Sequence, residues 1–264
     1  MSDAELAIAA AEAGAAVVRA RFGQPLDRFA KSGRDFATAA DIESEKMILD
    51  VLRSAHPGDA VLAEESGSDG DPDAERVWLV DPLCGTHNFA ARTPLVAVNV
   101  ALRVNGEVTA AASADPFSGE VYWTDRNVAR VRLEGADHPL RPDGGIALVD
   151  FNLEPPFENG PGFRAVRVMS DVAFGQRFGT RVTSSTLALL WVAAGRRAAF
   201  VSDSDLRDNV HFASPVAICR AAGCVVTGLR GQPAYEGAGG LVASADQETH
   251  DAMLAVIGKQ FRGS

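Results

Sequence analysis

The chain has 264 residues, 47% of them hydrophobic and 23% charged, with a formal net charge of −10. That length supports a full hydrophobic core, and no apolar run is long enough to span a bilayer. The acidic balance, without a basic run interleaved with aromatics, argues against nucleic-acid binding.

The segment 3–22 is rich in alanine at helical spacing, with Ser2 or Asp3 as its cap and Gly23-Gln24-Pro25 at its end. Acids stand where a signal peptide would carry a basic stretch. Asp35 to about Ser54 is predicted as a second helix, with Ile42, Met47, Ile48, Val51 and Leu52 as its apolar stripe and Pro57-Gly58 closing it. A short strand, Ala60–Ala63, precedes the acidic loop Ser66–Glu75, and Val77–Val80 is a buried strand running into Asp81-Pro82. Leu95–Val104 and Val108–Ser113 read as neighbouring strands joined by the hairpin signal Asn105-Gly106, followed by a strand at Glu120–Thr124. The polar, Gly/Pro-containing stretch 134–145 marks a junction between an α+β half, 1–140, and an α/β half, 141–264. In the second half, Thr183–Ala194 and Pro215–Ala222 are predicted helices ended by Gly195 and Gly223, Cys224–Thr227 a strand, and Thr249–Gln260 a terminal helix. Strands with interspersed helices and no internal repeat indicate a layered α/β or α+β fold.

The chemistry concentrates in Ala63-Glu64-Glu65-Ser66 and in the string from Trp78 through Asp81-Pro82-Leu83-Cys84-Gly85-Thr86 to Phe89. A buried strand delivers Asp81 to its C-terminal end, Pro82 and Gly85 shape the turn, and Thr86 enters a new helix. Polar groups at strand ends commonly build sites in α/β folds. Taken alone, Asp81 serves equally well as a turn or cap residue. The whole string resembles the metal-dependent phosphatases of the inositol monophosphatase superfamily, whose pattern here is Asp-Pro-Ile/Leu-Asp-Gly-Thr-x-Asn-Phe. Lys31, Asp35, Thr38 and Asp41 match its Lys…Asp-x-x-Thr-x-x-Asp segment, and Glu64 its Glu-Glu ligand pair. Ser184-Ser185 with Val192 to Arg196 resembles its Gly-Ser…Val-Ala-x-Gly segment, and Ala213 through Ala222-Gly223 its last long helix. The resemblance implies a layered α-β-α-β-α sandwich with a phosphatase-type pocket between its halves. Lys31, Asp35 and Asp41 would then be remnants of a phosphate and water site.

Two positions depart from that family. Cys84 stands where the Asp-Pro motif has its second Asp, and His211 falls on the Asp of a later Trp-Asp pair; Asp208 is the alternative if the turn is rebuilt. In the family those two aspartates share one magnesium. A thiol and an imidazole suit that hard ion poorly, which leaves Glu64, Asp81 and the Leu83 carbonyl as vestigial ligands for one weak ion. No metal or other cofactor is expected. A non-catalytic binding protein on the same scaffold, and a softer metal such as zinc on Asp81, Cys84 and His211, are competing readings.

The reading preferred from the residues is nucleophilic. Groups that once shared an ion lie roughly 3–4 Å apart, which is hydrogen-bonding range for a Cys–His pair. A helix opening at Thr86 would favour a Cys84 thiolate, and the N–H groups of Gly85 and Thr86 would serve a developing oxyanion. Asp115, at the end of the strand Val108–Ser113, is the candidate for orienting the imidazole; Asp81 is the runner-up, and a turn before Pro116 accounts for Asp115 equally well. A Cys–Asp–His set on this scaffold resembles the Dieckmann cyclases of tetramic acid and pyridone biosynthesis. That resemblance implies a metal-independent enzyme that takes an N-(β-ketoacyl)aminoacyl thioester from an acyl or peptidyl carrier protein onto Cys84. His211 would act as base, and a pyrrolidine-2,4-dione would be released. The alternative is a divergent inositol or sugar-phosphate phosphatase. The partners expected are the carrier protein and a small-molecule substrate, with no nucleic acid and no membrane, and a homodimer is compatible. His87 reads as a rim residue, and Cys219 and Cys224 as inert core thiols at a helix end. With Cys84 they make three reduced cysteines, which point to the cytoplasm.

Overall fold

The computed structural model describes residues 1–261 apart from Ser32, Arg34, Pro72, Pro155, Pro156, Asp205, Arg207, Asp208, Gly237 and Ala238. Asp208, the alternative to His211, therefore lies outside the described residues. The chain forms two compact units. The first contains residues 1–139 together with Ser185–Leu187 and Val210–Ile218, so His211 belongs with the N-terminal unit although the sequence places it in the C-terminal half. The second contains 140–184, 188–209 and 219–264. No helix among the described residues is long and apolar enough to cross a membrane.

The first unit opens with α1 (Asp3–Arg21), β1 (Arg28–Ala30), β2 (Phe36–Thr38), α2 (Ala39–Ala55), β3 (Ala60–Ala63) and β4 (Gly67–Asp69). It continues with β5 (Arg76–Cys84), α3 (Thr86–Ala90), β6 (Ala97–Val104), β7 (Glu107–Ala114), β8 (Val121–Thr124), β9 (Ala129–Leu133) and β10 (Ala136–Pro139). Ser2 caps α1 by accepting the Glu5 amide, with Asp3 and Glu5 in the first turn and Arg19 and Arg21 in the last. The second helix starts at Ala39, later than the Asp35 expected from the sequence. Phe36–Thr38 pairs with Arg28–Ala30 as a two-stranded ribbon, and Thr38 and Asp41 close a capping box.

An eight-stranded sheet runs in the order β10-β9-β8-β7-β6-β5-β3-β4 and is antiparallel except for β3 beside β5. Asn105 and Gly106 both have positive φ (50° and 83°), the backbone twist that the Asn-Gly hairpin signal demands. One face of the sheet buries Trp78, Val80, Val98, Val100, Leu102, Ala110 and Ala112 with Leu6, Ile8, Ile48, Leu49 and Leu52 of the two long helices. The helices approach closely at Gly14. A Cβ there would lie 2.7 Å from Ile48 Cδ1 and 2.8 Å from Ser44 Oγ. The Ser44 hydroxyl donates to the Pro82 carbonyl (2.9 Å), so this helix contact bears directly on the turn after Asp81.

The second unit comprises β11 (Leu148–Phe151), α4 (Ala165–Met169), α5 (Val172–Arg177), β12 (Gly179–Val182), α6 (Leu187–Ala193) and β13 (Ala199–Ser202). After these come α7 (Val210–Ala221), β14 (Val225–Thr227), β15 (Leu241–Ser244) and α8 (Gln247–Phe261); α6 and α7 each also contribute residues to the first unit. Its five strands lie in the order β12-β11-β13-β15-β14, with β11 parallel to β12 and β13 and the other pairs antiparallel. Residues 183–186, predicted as helix, lie before it, and Ser185 Oγ accepts the Leu187 amide at the helix start. In the other direction, α7 begins five residues before Pro215, which sits inside the helix. Proline in an interior position forgoes a helical hydrogen bond, so composition pointed to the later start. The helix ends in a Schellman turn. Cys224 N donates to Cys219 O and Gly223 N to Arg220 O, both at 3.0 Å, with Gly223 left-handed (φ 92°) and Cys219 and Cys224 as the apolar pair across it.

Gly14→Val is expected to destabilise the protein by about 1–3 kcal/mol, because the added methyls meet Ile48 and a hydroxyl already committed to Pro82. Denaturant unfolding measures it, and an unchanged midpoint would show that the helices have room to spare.

Candidate functional site

Strand β5 carries the site because it is irregular. Asp81 pairs with Asn99 and Cys84 with Ala97, so three steps on β5 oppose two on β6. Residues three apart on a regular strand face opposite sides, whereas the extra residue turns Cys84 to the side of Asp81. Pro82, which cannot donate to the ladder, sits within the bulge. Gly85 then takes a left-handed conformation (φ 104°) and leads into the five-residue α3.

Asp81 is fully buried, and three donors meet its carboxylate. Leu83 N reaches Oδ1 (3.2 Å), while Asn99 Nδ2 (3.2 Å) and His211 Nδ1 (2.7 Å) reach Oδ2. Burial pushes the acid up, but the charge and hydrogen bond of His211, with the bond from Asn99, outweigh it and hold Asp81 below the usual carboxylate range. His211 responds in kind. Burial alone would lower it, and the charge and hydrogen bond of Asp81, with Cys84 and Glu64, raise it well above its ordinary value. The pair is therefore an ion pair near neutral pH, on an imidazole whose side chain remains 39% exposed.

A row of polar side chains crosses the sheet behind Asp81. Ser113 Oγ donates to Asn99 Oδ1 (2.7 Å) and lies 2.7 Å from Ser214 Oγ, and Asn99 Nδ2 also donates to Thr186 Oγ1 (3.0 Å). Thr186 and His211 are both in hydrogen-bonding contact with the Cys84 thiol. Asn99, Ser113, Thr186 and Ser214, all buried, are functional neighbours that the sequence reading passed over. The available signal was a polar residue in the middle of two apolar strands, Val96–Leu102 and Ala110–Ala114.

The remaining acids surround this core. Glu64 is half-buried, its Oε1 accepts from Lys31 Nζ (2.9 Å), and its buried Oε2 accepts no hydrogen bond. That free oxygen lies 3.9 Å from His211 Nδ1. Burial, with the charge of Asp81, pushes Glu64 up to about 8 against the opposing pull of His211 and Lys31. Lys31 also holds Glu65 (2.7 Å); burial pulls its ammonium down, but the two carboxylates keep it above its usual range. Glu45, buried on α2, accepts the amides of Glu65 and Ser66 and fixes their loop. Asp41 Oδ2 caps α2 through Thr38, while Oδ1 accepts the Thr86 hydroxyl (2.9 Å). Asp35 lies exposed before β2 and accepts the amide of Phe36, and His87 is exposed with its ring edge-on to Phe36 (4.8 Å).

Two features differ from the sequence reading. Asp115 does not reach the imidazole; its Oδ1 accepts the amides of Phe117 (2.8 Å) and Ser118 (3.2 Å) in a turn. Its strand is not beside β5, because β6 runs between them, and Asp81 is the acid that meets His211. The thiol is also not poised as a thiolate. Burial and the charge of Asp81 push Cys84 up against hydrogen bonds from His211 and Thr186, and a five-residue helix offers few aligned dipoles to offset them.

Residues 2–260 match the model of the inositol monophosphatase family. Inositol-1-monophosphatase of Caulobacter vibrioides is 35% identical over 178 residues, covering 64% of this chain and 67% of its own. Nus factor SuhB of Salmonella typhimurium is 30% identical over 257 residues, 95% of this chain and 93% of its own. Among solved structures, the Thermotoga maritima IMPase superposes with a TM-score of 0.83 at 21% identity over 99% of both chains. The inositol monophosphatase of Anabaena (Nostoc) sp. gives 0.80 at 24% identity over 97% of this chain and 95% of that one. The α/β sandwich of the inositol monophosphatase type is thereby shown. The Dieckmann cyclase expected from Cys84, Asp115 and His211 is overturned: these relatives are named phosphatase or SuhB. The acyl-Cys84 route and the natural-product setting go with it.

The ion pair sets a pH dependence. His211 has a folded value well above its unfolded value near 6.5, so its contribution to stability is full below about pH 6.5 and is lost as pH rises through the folded value. His211→Asn should therefore fall furthest below the parent at about pH 6, where Asp81 remains ionised, and approach it in alkaline solution. Denaturant unfolding across pH reads the gap; a gap that widens with pH contradicts the ion pair.

Proposed function

Because the chain belongs to the inositol monophosphatase family, we propose that it hydrolyses a phosphomonoester of a polyol, such as an inositol or sugar phosphate. The Caulobacter vibrioides relative, named inositol-1-monophosphatase, supports this substrate class. The observation that carries the reading is the Asp41–Thr86 pair, whose hydroxyl also lies 3.3 Å from the Leu83 carbonyl in the turn after Asp81. The Thr86 proton is directed to the buried Asp41 carboxylate, so the hydroxyl offers lone pairs to a water and orients it for attack at phosphorus. As the water oxygen bonds phosphorus, the ester P–O bond breaks; one proton of that water ends on the departing alkoxide and the other stays on the phosphate, giving the alcohol and hydrogen phosphate. Lys31 and His211 bring positive charge to the site for the phosphate dianion.

The magnesium cluster implied by the family does not fit the donors present. Glu64, Asp81 and the Leu83 carbonyl offer oxygen, but Cys84 and His211 offer sulfur and nitrogen where a hard ion needs carboxylates. The same substitutions favour a second reading, a non-catalytic binding role; the SuhB relatives are named Nus factors. The three cysteines are free thiols, which supports a cytoplasmic setting for either reading.

Phosphate release from inositol and sugar monophosphates, measured without added metal and with magnesium, manganese or zinc, separates the two. Hydrolysis is expected under at least one condition, with Thr86→Ala lowering kcat by about 10²-fold. No release under any condition rejects the hydrolase and leaves the binding role.

A further inference from the structure

Outside the proposed hydrolysis, one cluster has the chemistry of a different ion. The ligand atoms of Asp81, Cys84 and His211 all lie within 4.8 Å of one another. From these residues we infer a binding site for a soft divalent metal of the zinc class, distinct in chemistry from the family's magnesium cluster. A carboxylate oxygen, a thiolate and an imidazole nitrogen make a donor set that zinc accepts at about 2.0–2.3 Å in a tetrahedral shell. Ligand atoms around such an ion sit roughly 3.5 Å apart, so the three side chains close on it with rotamer-scale movements and no change of backbone.

Three further features support an assembled site. The strand bulge is what turns Cys84 to the Asp81 side, and a regular strand would have separated them. The buried Oε2 of Glu64, which has no hydrogen-bond partner, lies 3.9 Å from His211 Nδ1, which places a further oxygen donor beside one of the three. The ligands are also held from behind. Leu83 N and Asn99 fix Asp81, and Thr186, itself bonded to Asn99, contacts the thiol. Outer-shell groups of this kind orient ligands and strengthen metal affinity. The buried pair Cys219 and Cys224 makes no comparable set, since its thiols face each other across a helix end.

The site is tested on the full chain with cobalt(II) as a spectroscopic probe and zinc and magnesium in calorimetry. One equivalent of cobalt should give a thiolate-to-metal charge-transfer band with tetrahedral visible bands, and zinc should bind at least about 10²-fold more tightly than magnesium. Cys84→Ser should lose the charge-transfer band, and His211→Asn should weaken zinc by about 10-fold or more. Absence of the band in the parent protein, equal affinity for zinc and magnesium, or a band that persists in Cys84→Ser overturns the inference. The parent spectrum decides even if a variant fails to fold. Phosphate release is measured separately, so a failed hydrolase with a cobalt–thiolate band, or a working hydrolase without one, identifies which claim has fallen.

Discussion

A carboxylate placed at the buried end of a sheet strand costs several kcal/mol unless hydrogen bonds and opposite charge replace its water. Asp81 is that carboxylate, and the surrounding structure answers to it. Its own turn returns the Leu83 amide, the next strand supplies Asn99, and α7 supplies His211. Asn99 in turn needs an acceptor and a donor, which Thr186 and Ser113 provide, and Ser113 is joined to Ser214. The segments Ser185–Leu187 and Val210–Ile218 belong with the N-terminal unit in the same region, far along the chain from the strand they meet.

The replacement of two family carboxylates changes how that charge is balanced. With aspartates at the positions of Cys84 and His211, neighbouring acids would call for metal cations to offset them. Here a single imidazolium balances Asp81 directly, and Glu64 is left to neutralise itself by rising to about 8. Lys31, lodged between Glu64 and Glu65, performs the same service at the rim. The arrangement keeps the local charge small without any ion, and a softer cation that displaced the shared proton would find nitrogen, sulfur and oxygen donors already assembled.

Much of this was legible in the sequence, because the signals were local. The Asn105-Gly106 hairpin and the strand into Asp81-Pro82 each state their geometry within a few residues. The convergence of Cys84 with His211 was legible through family resemblance alone, since nothing in spacing joins positions so far apart. What was missed depends on the sheet. The strand order puts β6 between β5 and β7, which removes Asp115 from the site and brings Asn99 into it. The thiolate expected at Cys84 failed for a related reason: the charge of Asp81 beside it and the brevity of α3 emerge only when the fold is assembled. Activity proved the least legible link, because a Cys–Asp–His set reads as nucleophilic chemistry until its acid proves to be Asp81 and its relatives prove to be phosphatases or SuhB.

The central claim is that His211 is an imidazolium held by buried Asp81. Side-chain nitrogen NMR of the metal-free protein, following His211 from acid to alkaline pH, tests it directly. The account requires His211 to remain doubly protonated through neutral pH and to titrate well above its ordinary value near 6.5, with that elevation lost in Asp81→Asn. A neutral imidazole at pH 7, or a titration unchanged by Asp81→Asn, would contradict it.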